Sequence, residues 1–336
     1  MDPVTQGIVG SLWALPAARR ERLRHAALAG WAGGMAPDLD VLIRSSQDSL
    51  LAIEYHRHFT HALAFIPIGS LAVALVLWPL MRKHVGFGLL YLWCLLGYAS
   101  HGLLDTATSY GTYLLWPFSD QRVAWNFISV IDPLFSLPLL VLLGITVWRR
   151  RRLPVALAWF WLIAYMGFGA FQNARAEQIV DAWAQEQGIV VNRSVAKPAF
   201  ANLVLWRGLV DDGERFHLLA VRTLPGTSAS IWPGGSVSRF STGAFDPETR
   251  LGNDLSRFEH FSSRWLFRYP DYDQGDRWFV GDLRYAIDPG SQRPLWGVVF
   301  DPDDPESAAR YTTPRRVTEQ ERQRFFDRLF GRLAAQ

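Results

Sequence analysis

Residues 62–80 read ALAFIPIGSLAVALVLWPL, an unbroken stretch without Asp, Glu, Lys or Arg. A helix of that length measures about 28 Å, close to the hydrocarbon thickness of a bilayer. Working outward, residues 87–104 form a second such run, interrupted by His101 near its end. Residues 133–148 form a shorter one, and residues 153–171 are again long enough to cross. Between His61 and Trp148 the only charged residues are Arg82, Lys83, Asp105, Asp120, Arg122 and Asp132, whereas the chain beyond Gln172 is rich in both signs. An apolar half therefore precedes a polar half, and a mean hydropathy near zero hides the split. Residues 4–15 and 26–35 are apolar but too short to span comfortably. Gly7, Gly10, Gly30, Gly33 and Gly34 suit them to close packing inside a bundle, where protein rather than lipid surrounds the backbone.

The net charge of +3 is small, and the basic residues fall partly in short loops between apolar runs. That pattern points to topology control and away from nucleic-acid binding. The single cysteine, Cys94, lies in an apolar run, which excludes a disulfide framework and a thiolate metal site. The start of the chain has no basic segment followed by a cleavage site, so no removable signal peptide is expected. Placing Arg19, Arg20, Arg22 and Arg24, then Arg82 and Lys83, then Arg149 to Arg152 in the cytoplasm threads six helices. The loops at 36–61 and 105–132 and the whole C-terminal half then fall on the non-cytoplasmic face.

That threading brings one set of polar residues to a single depth. Asp38 and Asp40 follow Pro37; His56, His58 and His61 precede the third helix; His101 and Asp105 close the fourth; Asp120 and Asp132 bracket the next loop. His101 and Asp105 are four apart, so a helix projects both from one face. Asp38 and Asp40 are two apart, which on extended backbone aims both the same way. Thr60 has the character of an N-cap for the third helix. Ionisable groups at membrane depth are costly without a role. Asp38, Asp40, His56, His61, His101 and Asp105 are the expected ligands of one or two divalent ions. Mixed imidazole and carboxylate without sulfur suits Zn first, then Mn or Fe. Asp120 or Asp132 is a candidate general base, although Asp132 before Pro133 reads equally well as a helix N-terminal acid. Arg57 or Arg122 is a candidate for holding an anionic substrate or developing charge. His25, His84, His217 and His260 are expected to have no part in the site.

The motifs Met1-Asp2-Pro3-Val4-Thr5-Gln6, Pro37-Asp38-Leu39-Asp40, His56 to His61, His101-Gly102-Leu103-Leu104-Asp105 and Leu115 to Asp120 resemble the YdjM-like family of predicted membrane-bound metal-dependent hydrolases. The likeness is dense over residues 1–150 and thinner around residues 198–207. It implies an inner-membrane metal hydrolase. Gln6 stands where many relatives carry His, and His58 where a small residue is common, so neither is expected to ligate.

In the polar half, residues 202–210 and 214–224 alternate around Asp211-Asp212-Gly213, a hairpin pattern. Residues 277–287 and 294–300 read as strands, and Thr318-Glu319-Gln320-Glu321 as a capping box. The expected fold is an α-helical polytopic membrane bundle over residues 1–172, a helical linker at 173–195 and a small α+β extramembrane domain at 196–336. The expected activity is metal-dependent hydrolysis of a lipid or envelope-linked ester or phosphoester at the non-cytoplasmic face of a bacterial inner membrane. The alternatives are a non-enzymatic membrane protein stapled by metal and a metal-ion or proton transporter.

Overall fold

The computed structural model describes residues 1–314 and 317–335. The chain divides into two compact units. One comprises Met1–Leu42, Tyr55–Ala170 and Phe200–Asn202; the other comprises Ile43–Glu54, Phe171–Ala199 and Leu203–Gln336.

The first unit is helical. It contains α1 (Pro3–Ala14), α2 (Leu23–Met35), the end of the short α3 (Leu51–Tyr55), α4 (Ile66–Met81), α5 (Phe87–Thr106), α6 (Pro133–Arg149) and the first part of α7 (Leu153–Glu186). Among the described residues, Leu63–Met81, Phe87–Thr106 and Leu153–Glu186 are long and apolar enough to cross a membrane, and Pro133–Arg149 is a shorter apolar helix. On α4, Ile68, Leu75, Val76 and Leu80 point outward, as a lipid-facing surface requires. The short α1 and α2 are instead buried against α5, and glycine makes this possible. A Cβ on Gly97 would lie 2.3 Å from the carbonyl oxygen of Gly30, and one on Gly10 would lie 2.4 Å from the same atom. The helices therefore meet backbone to backbone. Ser11 ties α1 to α2 by donating to the carbonyl of Ala27 at 2.8 Å.

Two local expectations change here. Thr60 does not cap the third helix. The chain makes 3-10 turns at Phe59–His61 and Leu63–Phe65 before α4 begins at Ile66, with Pro67 in its first turn. Nor are Asp38 and Asp40 on extended backbone, because Ala36–Leu42 continues α2 as a 3-10 helix.

The second unit holds two four-stranded antiparallel sheets with α8 (Arg250–Phe261) and α9 (Glu319–Leu329). One sheet is ordered β1 (Arg193–Pro198), β2 (Leu205–Asp211), β3 (Arg215–Arg222), β4 (Ser230–Ser238). The other is ordered β5 (Leu266–Arg268), β6 (Trp278–Asp282), β7 (Gly297–Phe300), β8 (Arg310–Thr312). The β2–β3 turn places Gly213 at φ +102°, and the Asp211 side chain accepts its N–H at 2.9 Å. Thr318 and Glu321 form the capping box that opens α9.

Residues 173–195 are not a free linker. Ala176, Val180 and Ala184 of α7 pack against Ala196, Trp206, Val210, Leu219 and Val221, so this stretch belongs to the core of the second unit. Residues Ile43–Glu54 also belong there, although the sequence predicts them as part of the 36–61 loop between helices. Arg257 on α8 holds them, reaching Glu54 at 2.6 Å and Asp48 at 2.8 Å.

Candidate metal centre

Four ligand-type side chains converge in the helical unit: Asp38 from the 3-10 turn after α2, His61 from the 3-10 turn before α4, and His101 and Asp105 from successive turns of α5. Nε2 of His61 lies 2.8 Å from Nε2 of His101, 3.5 Å from Oδ1 of Asp38 and 3.3 Å from Oδ2 of Asp105. Nε2 of His101 lies 3.5 Å from Oδ1 of Asp38 and 3.6 Å from Oδ2 of Asp105. Ligand atoms about 2.0–2.2 Å from a tetrahedral ion are separated from one another by about 3.3–3.6 Å. Four of these separations fall in or next to that range, and the fifth is somewhat short of it.

The orientation of the imidazoles agrees. His101 donates its Nδ1–H to the carbonyl of Gly34 at 2.5 Å, which leaves Nε2 as the atom facing the cluster. Thr60 donates its hydroxyl to Oδ2 of Asp40 at 3.0 Å and can accept from Nδ1 of His61, also at 3.0 Å, so Nε2 of His61 likewise faces inward. Asp105 is wholly buried. Its Oδ1 accepts from Gln6 at 2.8 Å and meets the amino group of Met1. Its Oδ2 accepts no hydrogen bond, although Nε of Arg57 lies 3.1 Å away. A buried carboxylate oxygen turned toward two imidazole nitrogens is suited to a cation. Among the described residues these four, and a second group of Asp38, Asp40 and His56, are the clusters able to hold a metal ion.

Charge follows geometry. Burial alone would raise the Asp38 carboxyl, but the imidazoles of His101 and His61 beside it hold it well below the usual carboxylate range. Asp40 is lowered in the same way, with His56 and His61 outweighing burial. Burial works against charge on His61, yet Asp105, Asp38 and Asp40 together push it up to about 10. A proton and a metal ion would compete for the same nitrogen, so metal binding here would release a proton.

All six sequence-derived ligand candidates fall in the two groups. Of the other candidates, Arg57 is at the site. It is buried at φ +65°, donates its backbone N–H to Asp40 at 2.8 Å, and reaches Asp105 and Thr108 with its guanidinium. Arg122 stands beside it. Its guanidinium is 5.0 Å from the ring centres of both Tyr110 and Tyr113, and it donates to the carbonyl of His56 at 3.4 Å. Asp120 is exposed, and none of the cluster's contacts involves it. Asp132 caps α6 through the N–H of Phe135 and accepts the Tyr165 hydroxyl at 2.8 Å, which accounts for it as a helix N-terminal acid. His58 is surrounded by the rings of Tyr55, Phe59, Tyr113 and Trp116 and joins neither ligand group. His25 and His84 stack on each other at 5.0 Å.

Sequence reading missed Gln6, Thr108, Tyr110 and the Gly34 carbonyl. Gln6 carried a signal, being an amide near the start of a short apolar helix. A backbone carbonyl carries none.

The structure therefore defines a class: a helical protein with apolar, membrane-length helices and a buried His/Asp cluster that could hold a metal ion. The chain belongs to the YdjM inner membrane protein family, whose description matches residues 1–176. It is 32% identical over 133 residues to the uncharacterized protein YfhP of Bacillus subtilis (strain 168), covering 39% of each chain. It is 32% identical over 142 residues to the inner membrane protein YbcI of Escherichia coli (strain K12), covering 35% of this chain and 80% of that one. The chain thus spans about two fifths of the length of YfhP and four fifths of YbcI. No solved structure matches it.

Proposed function

We propose that this protein is a membrane-bound hydrolase that uses a divalent cation, Zn in the first instance, held by Asp38, His61, His101 and Asp105. The observation that carries this reading is the convergence of four ligand atoms whose imidazoles are each anchored through Nδ1. Such a cation supplies Lewis acidity toward a carbonyl or phosphoryl oxygen and lowers the pKa of water. The chain's own residues do the rest. Gly34 and the Thr60–Asp40 pair fix the two imidazoles, Arg57 balances the charge of Asp105, and Arg122, stacked on two tyrosines, offers a guanidinium to an anionic group at the half-buried rim.

The position of the cluster supports a site at the non-cytoplasmic face. Arg20 donates to the carbonyl of Arg150, Arg24 to that of Val147 and Arg152 to that of Ala18, so two basic loops gather together. Arg82 and Lys83 precede α5, whereas Asp105 lies at its far end. Basic loops stay in the cytoplasm. A substrate reached from the opposite face is a lipid or envelope-linked ester or phosphoester.

One observation favours a second reading. The four ligands are largely buried, as in closed structural centres, so the ion could serve only to staple α2, α4 and α5. Purified protein should contain metal, and His101→Ala should lose both the metal and hydrolysis of short-chain phospholipid and ester substrates. Metal-loaded protein inactive on every such substrate would favour the staple; His101→Ala binding as many ions as wild type would overturn the centre itself.

A further inference from the structure

We infer that a second divalent cation binds beside the first, held by Asp38, Asp40 and His56, and that this outer ion is the one that meets a phosphate-ester substrate. The inference rests on the four-ligand centre proposed above.

The two ligand groups share Asp38, and a carboxylate has two oxygens with which to face two ions. Asp40 is divided in the way such a role requires. Its Oδ2 accepts the N–H of Arg57 at 2.8 Å and the hydroxyl of Thr60 at 3.0 Å, and lies 3.3 Å from Nδ1 of His61. Its Oδ1 faces only Nδ1 of His56, at 2.9 Å, among the contacts of the cluster. One oxygen thus fixes the loop and the inner imidazole, while the other stands with His56 at the outer group.

Access separates the groups. In the outer group the side chain of His56 is 26% exposed and that of Asp40 sealed; the shared Asp38 is 13% exposed, and His61, His101 and Asp105 of the inner group are sealed. The inner group also has a full tetrahedral complement. The outer group has three protein ligands and a route to solvent through His56, which leaves positions for water and substrate beside the inner ion. Adjacent ions in two-metal sites act on both the attacking and the leaving oxygen of an in-line displacement at phosphorus. Here the rim beside His56 also carries Arg122, whose guanidinium donates to the His56 carbonyl and lies against Tyr110, the ring that His56 meets edge-on at 5.7 Å. An ion pair of this kind with an adjacent guanidinium suits a phosphate ester better than a neutral carboxylic ester.

The test uses the full chain in detergent, stripped of metal and titrated with Mn²⁺ alone, with metal counted by mass spectrometry and examined by electron paramagnetic resonance. Wild type should take up about two ions per chain and show a spin-coupled spectrum, since ions in such sites lie about 3.5–4 Å apart. His56→Ala should keep about one ion and lose the coupling. A wild type that binds one uncoupled ion, or a His56→Ala protein that binds as many as wild type, would show that His56 and Asp40 are only a hydrogen-bonded pair. Either result would overturn the second site and leave the inner centre standing. A wild type that binds no ion would overturn the inner centre as well. The spectrum of wild type decides the matter even if the variant does not fold.

Discussion

Substituting Gly97 by alanine should loosen the candidate metal centre without touching any of its four side chains. The new Cβ would lie 2.3 Å from the Gly30 carbonyl oxygen and 2.8 Å from its Cα, both backbone atoms that cannot rotate away. Ordinary contact begins at 3.4 Å, so α5 must withdraw from α2 by about 1 Å. His101 lies one turn further along the same face of α5, and its 2.5 Å bond to the Gly34 carbonyl joins the same two helices. A shift of that size stretches the bond toward 3.5 Å, where an N–H···O hydrogen bond is largely lost. Overpacking costs about 1–3 kcal/mol and the hydrogen bond about 1 kcal/mol more. Losing the anchor of a ligating imidazole lowers metal affinity about 10–100-fold. Gly88→Ala is the control, because Gly88 lies on the same helix with nothing near its prospective Cβ. That change should be neutral or stabilising by up to about 1 kcal/mol. Unfolding in detergent and chelator-competition titration of Zn²⁺ read the two effects. Gly97→Ala with lowered stability but unchanged Zn²⁺ affinity would refute the anchoring role of Gly34, and behaviour like that of Gly88→Ala would refute the backbone contact.

Further outcomes are expected. Asp40→Asn places an amide where Thr60 and the Arg57 N–H donate; it should lower Zn²⁺ affinity about 10–100-fold, measured by the same competition. Adding Zn²⁺ at a hundred times its dissociation constant should stabilise the chain by about 2.7 kcal/mol, and a chelator should reverse the shift in melting temperature. Lys197 is buried, which, with help from Arg284, pushes its ammonium down to about 7 against an ordinary 10.5. The unfolded chain therefore binds the extra proton between those values, and stability should rise with pH across that window. Lys197→Met should remove the slope in denaturant titrations run from pH 7 to 10. Thr318→Ala removes the cap of α9 and should cost about 1 kcal/mol, seen as faster hydrogen exchange over residues 319–322.

Much of this architecture could be read directly from residues. The uncharged runs located α4, α5 and α6, because a helix in lipid must satisfy its backbone internally and show carbon outward. The spacing of His101 and Asp105 forecast a shared face because helical periodicity is local. Asp212-Gly213 fixed the β2–β3 hairpin for the same reason, since the left-handed turn is a property of glycine. What escaped depends on partners distant in sequence. The fate of Asp38 and Asp40 turned on whether α2 would continue as a 3-10 helix, and nothing in Pro37-Asp38-Leu39-Asp40 decides that. Thr60 has the chemistry of a cap, but it sits six residues before Ile66, the first residue of the helix, and spends its hydroxyl on Asp40. Gln6 reaches Asp105 across 99 positions. Residues 43–54 look like a polar loop until Arg257 is known to lie against them.

That last pairing has a consequence for biosynthesis. The ligands of both candidate ions lie between positions 38 and 105, so the ribosome has made all of them before α6 begins. The segment at 43–54, which runs between Asp40 and His56, meets Arg257 only after a further 203 residues beyond Glu54. At about 5–20 residues per second that interval is about 10–40 s. For that time the nascent chain holds a complete set of metal ligands with the Asp40–His56 connection still unanchored. Metal that is captured early would have to be retained by the helices alone until Arg257 reaches Asp48 and Glu54.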